Sequence, residues 1–150
     1  MTGARGRLIV EAYREALSRG GGVGRLTVVS DSMRPRLLEG DVIEFARVSA
    51  GSLFPGDIVI VMNGLDSGLD VHRLIWRQPL LGEPVRLFTK GDARPRLDFA
   101  AGVDQLLGRV TQILRGELSV RPTTIADRAR CICIAATHGL RRLLPRRASP

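Results

Sequence analysis

Between residue 25 and about residue 121, glycine and proline interrupt the chain too often for a long helix, and the stretches between them are short and rich in β-branched residues. The runs that read as strands are Leu26–Val29, Val42–Val48, Ile58–Met62, Val71–Arg77, Val85–Thr89, Leu107–Leu114 and Glu117–Arg121. Between them lie Glu39-Gly40-Asp41, Pro55-Gly56-Asp57, the loop Asn63–Asp70, Leu81-Gly82-Glu83-Pro84 and Arg115-Gly116. Pro55-Gly56 suits a type II turn, in which glycine takes the positive φ. Seven strands with no helix between them predict a mainly β fold, a twisted antiparallel assembly or partly open barrel. Only 4% of the chain is aromatic, so Leu, Val and Ile must build its core.

Helical spacing appears only at the two ends. Ile9, Tyr13, Ala16 and Leu17 alternate with Glu11, Arg14 and Glu15, which predicts an amphipathic helix over 5–18. Gly20-Gly21-Gly22 ends it and supplies a hinge. No Gly-Lys-Ser/Thr follows these glycines, which favours a linker over a phosphate cradle. After Pro122, Thr123 or Thr124 is placed to cap a last helix containing Ile125, Ala129, Ile132, Ala136 and Leu140, with Arg141 and Arg142 at its negative end. The expected organisation is a helix and hinge over 1–22, a β domain over 23–122, and a basic helix with an arginine-rich tail over 123–150.

Net charge is +8, but Lys90 is the only lysine, and Arg141, Arg142, Arg146 and Arg147 crowd the last ten residues. No aromatic residues interleave with the charge, which argues against nucleic acid as a partner. The basic helix either packs on the barrel or touches anionic lipid or a protein partner. The best apolar stretch, Cys131 to Leu140, is about half of the ~20 residues that cross a bilayer. Near the N-terminus, Glu11, Arg14 and Glu15 break what a signal peptide would need as an apolar region. The expectation is a cytoplasmic or peripherally membrane-associated protein. Cys131 and Cys133 are too close for an ordinary structural bridge, which is compatible with a reducing compartment.

Chemistry concentrates in three places. Ser30-Asp31-Ser32-Met33-Arg34-Pro35 follows the β-branched run Thr27-Val28-Val29, so Ser32 is expected at a rigid strand end, with Met33 packed beneath it and Pro35 fixing the exit. A serine hydroxyl needs an adjacent base to become a nucleophile, and the chain offers only His72 and His138 as histidines. His72 lies in Val71-His72-Arg73-Leu74-Ile75, where strand alternation puts His72, Leu74 and Trp76 on one face. Alone on an apolar face, a histidine is more often a satisfied core residue than a catalyst. The third place is Phe88-Thr89-Lys90-Gly91-Asp92, with Asp98 six positions further on. A carboxylate at the far nitrogen of an imidazole fixes its tautomer and stabilises the imidazolium. Asp41 and Asp57, by contrast, read as turn carboxylates.

Ser-Met-x-Pro, Val-His-Arg-Leu-Ile and Thr-Lys-Gly-Asp, in that order, resemble the boxes of the signal peptidase I family, in the branch that pairs serine with histidine. Gly108-Arg109-Val110 resembles the family's final strand, with a structural role. The likeness runs from about Ser30 to Val110, a little over half the chain. It implies the serine-peptidase fold shared with self-cleaving phage-type repressors, and removal of a leader or signal-like peptide after small residues such as alanine. Carried over position by position, it implies Ser32 as nucleophile, His72 as base and Asp98, or else Asp92, as the group that orients the histidine. The Ser32 N–H and the Ser30 hydroxyl would be the oxyanion donors. No cofactor or metal is implied. The family often has glycine where this chain has Asp31, whose carboxylate is expected to face away from the site. Typical members also carry a membrane anchor; none is read in this sequence, which leaves room for a maturation protease.

Two other readings compete. A non-catalytic binding module on the same fold would keep Ser32 and His72 as relics, although survival of every catalytic residue type argues against it. A self-cleaving repressor would normally use lysine in place of histidine, and 22 residues before the core are too few for a DNA-binding domain.

Overall fold

The computed structural model describes residues 4–63, 68–78, 85–98 and 100–143, with side chains described between residues 12 and 138. The expected turn at 81–84, much of the 63–70 loop and the terminal arginines Arg146 and Arg147 lie outside the described residues. The fold is mainly β, an antiparallel sheet curled into a half-barrel between two terminal helices. Its strands are β1 (Val23–Thr27), β2 (Val42–Ala46), β3 (Ile58–Met62), β4 (Leu69–Gln78), β5 (Arg86–Lys90), β6 (Ala101–Gly102), β7 (Leu106–Arg115) and β8 (Leu118–Val120). They are ordered β1-β2-β7-β3-β4-β5-β6, with β8 paired to β7.

β3 lies in the middle of this order, and all five of its residues are buried. Alternation sends Ile58 and Ile60 into one apolar cluster, with Phe45, Leu107, Ile113 and Leu17 of the first helix. It sends Val59 and Val61 into a second, with Leu53, Leu74, Leu87 and Leu106. With aromatic residues so scarce, branched aliphatics fill both faces of the sheet.

The first helix, α1 (Ala4–Arg19), ends as its glycines require: Gly21 and Gly22 both take positive φ. Arg14 ties α1 to the sheet by donating to the carbonyls of Val103, Asp104 and Leu106. Gly56 likewise has φ +95°, as a Pro-Gly turn demands. The C-terminal helix, α2 (Ile125–Leu143), starts from a reciprocal cap. Asp127 N–H donates to the Thr124 hydroxyl, and Thr124 N–H and O–H both donate to the Asp127 carboxylate.

Three local expectations differ from the structure. β1 occupies Val23–Thr27 rather than Leu26–Val29, because the glycine turn returns the chain directly into pairing with β2. Ser32 therefore lies in a turn five residues beyond a strand, not at the strand's end. β6 is a two-residue strand without β-branched residues, held by pairing with Arg86 and Leu87. The third difference is in β4, where the register shifts between Leu74 and Trp76, leaving Ile75 as a bulge. The bulge interrupts alternation, so Trp76 stacks on Phe88 and meets His138 of α2 instead of sharing a face with His72 and Leu74.

Asp41 and Asp57 close turns, as their Gly-Asp context predicts. Asp41 accepts the Leu38 N–H at 2.8 Å and takes two hydrogen bonds from Arg115, at 2.9 and 2.7 Å. The Arg115 hydrogen bonds, against the opposing effect of burial, hold the Asp41 carboxyl below its ordinary value of 3.8. A depressed carboxylate stabilises the fold above the unfolded-state value and loses that contribution as pH falls through the folded-state value. Denaturant midpoints measured between about pH 5 and pH 2 should therefore fall with acidification. The fall should be shallower in Asp41→Asn, and identical slopes in both proteins would show that this carboxylate does not contribute.

Candidate active site

Two turns and one strand converge on the candidate site. In the segment after β1, the Asp31 carbonyl accepts the Arg34 N–H and the Met33 carbonyl accepts the Leu37 N–H, which folds residues 31–37 into successive turns. Met33 and Leu37 are buried beneath them, and the Arg34–Pro35 peptide bond is cis. The Ser32 carbonyl accepts the Ala93 N–H at 2.9 Å, and the Asp92 N–H points to the Met33 sulfur at 3.4 Å. The segment that carries Ser32 is thereby fastened to the loop that follows β5.

Gly91 is what lets these two segments meet. A Cβ at this position would lie 2.7 Å from the Ser32 carbonyl oxygen and 3.3 Å from His72 Nε2. The first distance is shorter than real Cβ contacts, so a larger residue would push the serine segment away from the histidine.

His72 comes from β4, opposite Val59 of β3. Its Nε2 lies 3.1 Å from Ser32 Oγ, and its Nδ1 lies 2.6 Å from Asp98 Oδ2. A carboxylate can only accept here, so Nδ1 carries the hydrogen and the Nε2 lone pair faces the serine hydroxyl. Asp98 is itself held. The Thr89 hydroxyl donates to its Oδ2 at 2.7 Å, and its N–H donates to the Thr89 carbonyl at 2.9 Å. Ser30 Oγ lies 3.3 Å from Ser32 Oγ. Asp31 points outward, its side chain 71% exposed, and pairs with Arg94.

Asp92 sits elsewhere. It receives two hydrogen bonds of 2.7 Å from Arg73, the residue after His72, on the opposite face of β4. The Arg73 side chain is only 2% exposed; it also donates to the Gly56 carbonyl and lies 3.9 Å from the Asp127 carboxylate. Burial pulls the Arg73 pKa down, but hydrogen bonding and charge from Asp92 outweigh this and leave it raised, so the guanidinium stays charged. On the same side, burial lowers the pKa of Lys90, helped by the charge of Arg130. Burial also raises that of the Cys131 thiol.

Beside Ser32 and His72 opens a cavity of about 330 Å³, with Leu26, Val28, Ile43 and Val71 among its apolar walls. No group of His, Cys, Asp and Glu among the described residues is arranged to hold a metal ion.

The structure thus brings Ser30, Ser32, His72 and Asp98 into one hydrogen-bonded line. It puts Met33 beneath that line, Asp92 behind it and His138 on α2 against Trp76. Three supporting residues carried no role in the sequence: Thr89, Gly91 and Arg73. A guanidinium one residue from His72, within an otherwise apolar strand, was the available signal, since buried charge demands a partner.

The chain matches no protein-family model, and no curated protein matches it significantly. The functional reading therefore rests on residues and geometry.

The two aspartates should separate in a stability measurement. Asp92→Ala leaves the buried Arg73 without its main partner and should lower unfolding free energy by about 3 kcal/mol. Asp98→Asn retains a polar group beside His72 and Thr89 and should cost about 1 kcal/mol or less. Chemical denaturation of the two variants checks this, and equal losses would contradict the division of roles.

Proposed function

We propose that this chain is a serine endopeptidase of the signal peptidase type, one that cleaves a leader or signal-like peptide from a partner protein. The observation that carries the reading is the continuous hydrogen-bonded line Ser32–His72–Asp98, whose first two members line a largely apolar cavity. Three residues from separate segments align in this order, and taking even a partly buried polar line out of water costs desolvation at each member.

In this reading Ser32 Oγ attacks the scissile carbonyl while His72 Nε2 takes its proton. Asp98 accepts the Nδ1–H throughout and stabilises the imidazolium, and Thr89 keeps the carboxylate in place. The Ser32 N–H and the Ser30 hydroxyl stabilise the negative charge that develops on the carbonyl oxygen. His72 then returns the proton to the leaving amine, and the acyl group remains as an ester on Ser32. A water molecule, deprotonated by His72, hydrolyses that ester and frees the enzyme. The substrate lies extended, with a side chain in the apolar cavity; by resemblance, residues preceding the cut are small.

The test is peptide cleavage followed by mass spectrometry, using a library with small residues before the scissile bond. Ser32→Ala and His72→Ala should each lower turnover by about a thousandfold or more while retaining the fold. His138→Ala, whose ring meets Trp76 rather than the serine, should cleave at nearly the native rate. Undiminished cleavage by folded Ser32→Ala would remove the proposal. A protein that cleaves no peptide in any form would favour the non-catalytic binding module.

A further inference from the structure

α2 is oriented against the ordinary rule for a surface helix. Asp127, Arg128, Cys131, Ile134, Ala135 and His138 form the half-buried or buried face turned toward the sheet. This inner face contains three polar or ionisable groups that are already engaged. Asp127 pairs with Arg36, Arg128 donates to the Pro55 carbonyl and pairs with Asp57, and His138 meets Trp76.

The opposite face looks to solvent and is nearly without charge. Among the described side chains of α2, the exposed positions are Ile125, Ala126, Ala129, Arg130, Ile132, Cys133, Ala136 and Thr137, of which only Arg130 is charged. Ile125 is 88% exposed and Ile132 57%. Phe54, 60% exposed, precedes Pro55, whose carbonyl accepts from Arg128 of the helix's first turn. An apolar outer stripe is unfavourable in water unless something covers it.

The charge of this part of the sequence selects the occupant. From Ala129 to Pro150, beyond the Arg128 that pairs with Asp57, the sequence contains Arg130, Arg141, Arg142, Arg146 and Arg147 and no aspartate or glutamate. A second copy docked on this stripe would bring arginines together with no carboxylate between them. An anionic bilayer offers both an apolar layer for the isoleucines and phosphates for the guanidiniums. No helix among the described residues is long and apolar enough to cross a membrane, so the contact would lie in the plane of the interface. We infer that α2 docks this protein on an anionic lipid surface through Ile125, Ala129, Ile132 and Ala136. Nothing in this docking face requires Ser32 to be a nucleophile, so it stands or falls separately from the peptidase chemistry.

The experiment is co-sedimentation of the full chain with vesicles of equal parts phosphatidylcholine and phosphatidylglycerol, and with phosphatidylcholine vesicles alone. Binding is expected to the anionic vesicles, weaker at high salt. Ile125→Glu and Ile132→Glu should each lower it about tenfold, since each removes one isoleucine from the apolar layer. Both side chains are exposed, so thermal melting should not change. Val23→Glu, at an exposed site on β1, should bind as the native protein does. Failure to bind anionic vesicles would overturn the inference, and so would binding unaffected by both glutamates. A dimer dissociated by Ile132→Glu, without vesicle binding, would also overturn it and identify a second copy as the occupant. A monomer that ignores vesicles would leave a protein partner as the occupant.

Discussion

Arg73 lies between the sheet and α2 with its guanidinium almost wholly out of water, and the segments that carry Ser32, His72 and Asp98 are all arranged around it. Its backbone belongs to the strand that presents His72. Its side chain grips Asp92, whose N–H reaches Met33 and whose neighbour Ala93 holds the Ser32 carbonyl. Two further contacts, to the Gly56 carbonyl and near Asp127, join the Pro55-Gly56 turn and the first turn of α2 to the same post. A charge this deep is tolerated only with its partners in place, so the ion pair fixes geometry more than it adds net stability. Gly91 completes the arrangement by allowing the serine turn to approach the histidine.

The arrangement divides labour between the faces of β4. One face presents His72 toward Ser32 and Asp98, where polar atoms line up beside a largely apolar cavity. The other presents Arg73 toward α2, where charge is neutralised and buried. Alternation along a strand makes such a division natural, because adjacent residues point to opposite sides. The bulge at Ile75 ends it by turning Trp76 toward α2, where it supports the helix through His138. A chain of contacts, Asp127 to Arg73 to Asp92, therefore runs from α2 to the loop that holds Ser32, although helix and site occupy opposite faces.

Much of this was legible in the residues. Turn chemistry located β3 to the residue and most other strands to within a few, since Gly-Asp and Pro-Gly punctuate the chain where glycine must take positive φ. The start of α2 was visible in Thr123 or Thr124, of which the second makes the cap. What pattern alone could not show was register. Val28 and Val29 prolong a β-branched run, yet the strand stops at Thr27 because its pairing begins earlier, at the glycine turn. A bulge leaves no mark in alternating hydrophobicity, so Trp76 was assigned to the wrong face. At the site, motif order singled out Ser32 and His72 but left Asp92 and Asp98 as alternatives, because they occupy the same short segment. Three-dimensional contacts separate them, through the buried Arg73, whose guanidinium pairs with Asp92 and not with Asp98. The apolar spacing of Ile125, Ala129, Ile132 and Ala136 was also plain, but not its outward direction.

The central claim is that the hydrogen-bonded line makes Ser32, among the chain's hydroxyl and thiol groups, the one that attacks carbonyl carbon. The most direct measurement is trapping of the covalent intermediate with a serine-directed acylating probe, followed by intact-mass measurement and tandem mapping of the adduct. One acyl group per chain on Ser32, absent from His72→Ala, is the predicted result. A native protein that acquires no adduct, or acquires it elsewhere, for instance on the exposed Cys133 thiol, would contradict the account.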